Sequence, residues 1–327
     1  LGSTRPSKRR RSSTHRINLQ ESSSASRPAE KLLPLAAFGT TASWLAIGVP
    51  VLLVAIYAYW PTLVWMEDAW RNEPDYSHGY VVPFLALMLL SHRSDSFPGV
   101  RAGASYGGVW LVALAVAMRF ASRLLYMDFL DGYSLLPLVA GCVWTLLGPL
   151  AMMWSLPAIG FLFFMIPLPY QAESLLSWKL QGISTSLSTT MLRVLGQPAV
   201  SEGHVIWIGD QRLLVEQACS GMRIFIGVAA LAYFWAAMVT RSWVDRVVLL
   251  LAVVPLAVLV NSLRITVVGL LYQIVSGTNY RHAIHDWSGY LMIPVAFTLL
   301  WAIKKYWEHL YRPVEHLTAR DFVHRAT

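Results

Sequence analysis

Val247-Val248-Leu249-Leu250-Leu251-Ala252-Val253-Val254-Pro255-Leu256-Ala257-Val258-Leu259-Val260-Asn261-Ser262-Leu263-Arg264 is the stretch whose reading decides the fold. Val247 to Val260 pass without one polar side chain, and Asn261, Ser262 and Arg264 then arrive almost together. A run of this kind, taken to Ser262, is near the short limit for crossing about 30 Å of hydrocarbon. Working outward, comparable runs occupy 219–238 and 287–303 on either side. Earlier ones lie at 38–60, 77–91, 104–122, 133–148 and 150–168, the last ending in Pro167-Leu168-Pro169. Composition agrees: 56% of the 327 residues are hydrophobic and only 13% charged, against about a quarter charged in a soluble domain. The expected fold is an all-α polytopic membrane protein with about eight transmembrane helices.

Charge is unevenly placed. Residues 1–31 carry +6 of the net +8, in a Ser- and Arg-rich segment without apolar periodicity. Such a segment reads as a disordered basic tail. Topology setting by the positive-inside rule explains it better than nucleic-acid binding. The expected organisation is a cytoplasmic tail over 1–34, a membrane domain over 35–308 and a short cytoplasmic tail over 309–327. Arg93 and Arg101, Arg241 and Arg246, and Lys304, Lys305 and Arg312 mark inner loops. Glu67, Asp68, Glu73 and Asp75 suit an outer one. Arg119 and Arg123 then fall outside, against the rule. The two cysteines, Cys142 and Cys219, lie in separate spans, so no disulfide is expected; Cys142 reads as a packing residue.

Residues 170–217 form the longest non-spanning stretch. Leu176, Leu180, Ile183, Leu187, Met191 and Leu195 recur at helical spacing, with Ser174, Ser177, Gln181, Ser184 and Ser188 largely on another face. The pattern predicts an outward-facing amphipathic helix in the interface. Glu173, Lys179 and Arg193 argue against a further span. Val205–Ile208 and Arg212–Val215 flank Gly209-Asp210, which predicts a short β-hairpin leading to Cys219. Ile265 to Val275 is apolar but short, and is read as a re-entrant or interfacial helix. As a full span it would move His285 to the other side of the membrane.

Three polar clusters interrupt the apolar sequence: Glu216 to Arg223, Asn261 to Arg264, and His282 to Gly289. Ionisable residues at membrane depth are costly, hence functional candidates, and this topology brings all three clusters to outer helix ends. Cys219 stands at a helix start, where free N–H groups and the helix dipole favour a thiolate. Ser220 follows it, and Gly221 leaves room for a substrate backbone. Arg264, or Arg223 four residues after Cys219, can supply a cation for an oxyanion, and Arg stays protonated. Asn261 stands three residues before Arg264 and can orient it. His285 or His282 can carry a proton near neutrality. His78 is a further outer-side candidate, as a substrate contact or simply a helix start. No metal-ligand spacing, phosphate-binding loop or Gly-x-Ser-x-Gly elbow is found, and no cofactor is implied.

With these residues in place, the chain resembles the exosortase/archaeosortase family over roughly residues 70–303. The resemblance is carried by Tyr76-Ser77-His78-Gly79-Tyr80-Val81-Val82-Pro83, Phe164-Met165-Ile166-Pro167-Leu168-Pro169, Gly203 and the hairpin, Glu216 to Arg223, Asn261-Ser262-Leu263-Arg264 and His285-Asp286-Trp287-Ser288-Gly289. It implies a membrane-embedded cysteine protease/transpeptidase of the bacterial inner membrane, with its site facing the periplasm or exterior. Its partners would be exported proteins with a C-terminal tripartite signal (a Pro-Glu-Pro-like motif, an apolar helix and a basic end) and an acceptor nucleophile. It also implies a Cys219, Arg264 and His285 trio, with Glu216, Ser220, Gly221, Arg223, Asn261 and His78 around it. The residues also permit a transporter or export scaffold, or a membrane acyltransferase in exopolysaccharide assembly.

Overall fold

A computed structural model describes residue 2 and residues 32–33, 41–101, 106–215, 221–238, 243–274 and 278–310. The chain divides into Leu1–Lys31 and Leu32–Thr327, and all that follows concerns the second unit. Of the expected tails over 1–34 and 309–327, only Gly2, Leu32–Leu33 and the last two residues of α11 fall among the described residues.

The second unit is mostly helical. In chain order it has β1 (Leu32–Leu33), α1 (Thr41–Ala58), α2 (Trp60–Asn72), a 3-10 helix over Pro74–Tyr80, α3 (Val82–His92), β2 (Val100–Arg101), α4 (Gly107–Leu125), α5 (Asp128–Leu147) and α6 (Pro149–Phe161) with a 3-10 extension to Met165. Then come α7 (Tyr170–Val194), β3 (Ala199–Glu202), β4 (Val205–Ile208), β5 (Gln211–Leu214), α8 (Met222–Met238), α9 (Trp243–Leu251), α10 (Val253–Ile274) and α11 (Thr278–Leu310). Among the described residues four stretches are long and apolar enough to cross a membrane: Gly107–Leu125, Asp128–Leu147, Trp243–Ile274 and Trp287–Leu310. The bent pair Pro149–Met165 and Tyr170–Val194 makes a fifth if it is one span. Each of the eight expected runs overlaps a helix among the described residues, but not all of these helices are span-length. Pro83 in the first turn of α3 leaves Ser77-His78-Gly79 in the preceding 3-10 helix. The remaining 11 residues of α3 reach only about 16 Å at 1.5 Å per residue.

The molecule is organised around α8, which is packed on two sides. Ile224, Val228, Ala232 and Ala236 join one core with Leu249, Leu256, Val260, Met292 and Leu300 of α9, α10 and α11. Ala230 and Phe234 join a second with Met66, Val82, Leu89, Ala158 and Phe161 of α2, α3 and α6. Outside these cores large apolar side chains are left exposed, among them Leu53, Phe84, Leu87, Trp110, Phe120 and Leu291. An apolar exterior over a packed interior is the arrangement hydrocarbon solvent favours.

Two expectations change. The helix through Asn261 does not end at Arg264: α10 continues to Ile274, so residues 264–274 are not a separate re-entrant piece. The extension is covered by protein. Ile265 packs with Leu192, Ala199, Ile206, Ile208 and Val215, from the end of α7 and a three-stranded antiparallel sheet. The expected hairpin is β4–β5, with Ile208 opposite Gln211 across Gly209-Asp210. β3, over Ala199–Glu202, adds a third strand that was not expected, with Glu202 opposite Val205.

The second change concerns α7. It lies 81° from α6, nearly at right angles, as a helix lying in the interface requires. Its hydroxyl face is the more deeply covered one, however. Ser177, Ser184, Thr185, Ser188 and Thr189 are buried together with Leu180 and Leu192, whereas Ile183 and Leu195 of the expected apolar stripe are exposed. The serine face packs on α10: Ser188 Oγ donates to Ser262 O at 3.0 Å and Ser262 Oγ to Ser184 O at 3.4 Å. Small hydroxyl side chains allow close helix approach and bond to backbone carbonyls, so no polar atom need face water.

Arg119 and Arg123, the residues against the positive-inside rule, also find a physical account. They stand 3.6 and 3.8 Å from the buried Asp131 carboxylate, which accepts from Thr62 Oγ1 at 2.7 Å. The Arg119 guanidinium lies 4.2 Å from the Tyr59 ring centroid. One carboxylate thus offsets one of the two charges, and Arg119 is the more deeply covered of the pair, while Arg123 is 58% exposed.

Ser188→Leu is expected to destabilise the chain by about 1–3 kcal/mol through overpacking. Ile183→Leu on the exposed face should stay within about 0.5 kcal/mol. Thermal unfolding of the purified protein in detergent measures both, and equal effects would contradict the buried-serine interface.

Candidate functional site

The site is built where four elements meet: the Pro74–Tyr80 3-10 helix, the start of α8, the middle of α10 and the first half of α11. Arg264 is its centre. The side chain is only 7% exposed, and its Nε donates to Ser288 Oγ of α11 at 3.1 Å. Arg264 is ten residues before Ile274, and Ser288 ten after Thr278. The two therefore meet at the same height, about 15 Å below the tip of an antiparallel α10–α11 pair.

Gly289 shows how close the cations come. A Cβ on it would lie 3.2 Å from Arg264 Nη2 and 3.9 Å from Arg223 Nη1. Two guanidinium groups thus converge on one glycine. Asp75 answers the charge: its Oδ1 lies 3.7 Å from Arg223 Nε. Burial pushes the Asp75 carboxyl up, while the fields of Arg223 and then Arg264 pull it down.

Asn261, one turn before Arg264, is buried and lies against Gly221. Gly221 has φ +84°, and a Cβ there would come within 2.8 Å of Asn261 Cγ. Both the backbone angle and the contact exclude a side chain. Gly221 O accepts from Phe225 N at 2.8 Å, which begins α8.

The Tyr76–Pro83 and Phe164–Pro169 segments, 80-odd residues apart, pack on one another beside this centre. Leu168 N donates to Tyr76 Oη at 3.1 Å, and that hydroxyl donates to Glu173 Oε2 at 3.1 Å. Trp70 Nε1 donates to Met165 O at 2.7 Å. His78 Nε2 lies 2.9 Å from Phe164 O; a carbonyl only accepts, so the proton is on Nε2. Burial lowers the His78 pKa, partly offset by its bonds to the Phe164 and Asp75 backbone. His78 therefore latches the Pro74–Tyr80 3-10 helix to the Phe164 segment.

Of the residues singled out from sequence, Arg264, Arg223, Asn261 and Gly221 are brought together. His285 lies in α11, one turn before Ser288. Glu216, Cys219 and Ser220 lie outside the described residues, as does the His285 side chain. Cys142 is a free, half-buried thiol in α5. Sequence reasoning missed Asp75 and Ser288. Their only signal was position, an acid just before Tyr76-Ser77-His78-Gly79 and a hydroxyl inside His285 to Gly289.

Gly221→Ala is expected to cost at least about 1–2 kcal/mol from the left-handed backbone alone, seen as a lowered melting temperature. Adding Asn261→Ala should recover only the part due to the clash. A neutral Gly221→Ala would contradict the geometry.

His78 gives a pH signature. Its folded pKa lies below the ordinary value of 6.5, so the unfolded chain takes up its proton first on acidification. The stability His78 contributes is present above about 6.5 and is lost as pH falls below it. His78→Gln keeps an N–H donor and removes this titration. Its melting temperature should fall less between pH 7.5 and 5.5 than that of the parent.

Comparison with known proteins adds the family. A search of curated proteins and one of solved structures each return no match. The profile of the family described as transmembrane exosortase matches residues 70–302, more than two thirds of the chain and every element of the site. The chain belongs to the transmembrane exosortase family.

Proposed function

We propose that this protein is a cysteine transpeptidase that processes C-terminal sorting signals of exported, membrane-anchored proteins. The observation that carries the reading is the buried Arg264 guanidinium. It is held at Ser288, one turn beyond His285 in α11, while Asn261 on its other side touches Gly221, two residues beyond Cys219. A fixed cation in a poorly solvated place, between the chain positions of a thiol and an imidazole, suits acyl transfer.

In this mechanism the Cys219 thiolate attacks the scissile carbonyl carbon. Arg264 stabilises the oxyanion, and its deeper burial and its bond to Ser288 favour it over Arg223, which is paired with Asp75. The C–N bond breaks as imidazolium His285 gives its proton to the departing amine, leaving a thioester on Cys219. Neutral His285 then takes a proton from the acceptor nucleophile, whose attack on the thioester carbonyl frees the thiolate.

Depth supports a site near one surface. Ser288 and Lys304 are sixteen residues apart in α11, about 24 Å along the axis. With Lys304 and Lys305 at the inner interface, the site comes near the opposite edge of a hydrocarbon layer about 30 Å thick. A transport pathway would instead want its charges at the midplane. We place the site on the periplasmic or outer side and the termini in the cytoplasm.

The test is a reporter protein whose tail carries a Pro-Glu-Pro-type motif, an apolar helix and a basic end, co-expressed with the chain. Cys219→Ala is expected to leave the reporter uncleaved in the membrane. Arg264→Lys should slow cleavage by roughly 100-fold or more, and His285→Gln should block it. Unchanged processing with Cys219→Ala would overturn the proposal.

A further inference from the structure

Beside the cations lies a cavity of about 180 Å³ with an apolar lining. Tyr76, Phe164, Leu168, Leu176, Phe225 and Ala229 form much of its wall. It shares its frame with the charged cluster. Asp75 pairs with Arg223, while the next residue, Tyr76, lines the cavity and packs on Met222 and Ile226 of α8, the first of them next to Arg223 in the chain. The Tyr76 hydroxyl is held by Leu168 N and Glu173, so only its ring is offered.

We propose that this cavity is the subsite for one large apolar side chain of the substrate polypeptide, on a residue flanking the scissile bond. The inference rests on the transpeptidase reading. An apolar cavity of about 150 Å³ accepts a benzene molecule, so this one holds a Phe- or Leu-sized group. Its size suits one side chain and not the length of a lipid acyl chain. With Tyr76 in its wall, one residue after Asp75, the cavity is where a peptide reaching the charged cluster would set down a neighbouring residue. Three of its walls come from rigidly latched pieces, the 3-10 helix, the Phe164–Leu168 segment and α8, and a preformed pocket selects by shape at little ordering cost.

The experiment uses the full chain in nanodiscs and the same reporter, with each residue flanking the cleavage position changed in turn to Ala, Leu or Phe. Cleavage by the parent, absent with Cys219→Ala, tests the transpeptidase reading by itself. The subsite is supported if one flanking position prefers Leu or Phe over Ala by tenfold or more in kcat/KM. That preference should collapse towards onefold in Ala229→Phe, which fills the cavity. Leu176→Ala, which enlarges it, should shift the preference towards Trp and gives a second measure should Ala229→Phe not fold. Cleavage without side-chain preference at any flanking position overturns the subsite while leaving the transpeptidase standing. A preference that survives both variants, or variants that change only the dependence on lipid chain length, also overturns it.

Discussion

The burial of the Arg264 guanidinium is the constraint around which the rest is arranged. A cation left unpaired among apolar helices would cost several kcal/mol or more, and Arg cannot escape by losing its proton. Ser288 takes its Nε–H, and Asp75 supplies the compensating field through the pair it forms with Arg223. The Ser288 bond sets the register of α10 against α11. The Asp75 pair ties the 3-10 helix to α8. The contact of Asn261 with Gly221, one turn away, sets where α8 begins.

Around this centre the protein keeps its polar groups inside and its apolar groups out. Serines of α7 and α10 bond to one another's backbone, Asp131 gathers Thr62, Arg119 and Arg123, and His78 and Trp70 hold carbonyls of the Phe164–Met165 turn. Pairing of this kind is what low-dielectric surroundings favour. These bonds also make a rigid wall beside the cations. The same 3-10 helix presents a carboxylate on Asp75 and an aromatic ring on Tyr76, one to each neighbouring compartment.

Much of this was legible one residue at a time. The apolar runs marked the helices because an unbroken run has one economical use, burial in lipid or core. Gly209-Asp210 between alternating strands marked its hairpin through local turn chemistry. Arg264, Asn261 and Gly221 stood out because each is costly or unusual where it lies. What was not legible depended on neighbours distant in sequence. A charge after fourteen apolar residues looked like the end of a helix; α10 runs on because Ser288 and Asp75 make the charge tolerable and because β3–β5 cover the extension.

The covering of the α7 hydroxyl face by α10 has the same cause. Periodicity divides a helix into two faces but does not say what lies against either, and only the α10 serine revealed that the hydroxyl face is the buried one. The sequence by itself determined that the chain is a helical membrane protein with costly polar residues at a few helix positions, because hydropathy and charge are local properties. Only the tertiary structure decided which of those residues meet. It joined Arg264 to Ser288, matched Arg223 with Asp75, and gave His78 its partner in Phe164 O, because partnership in a protein interior is a matter of distance in space.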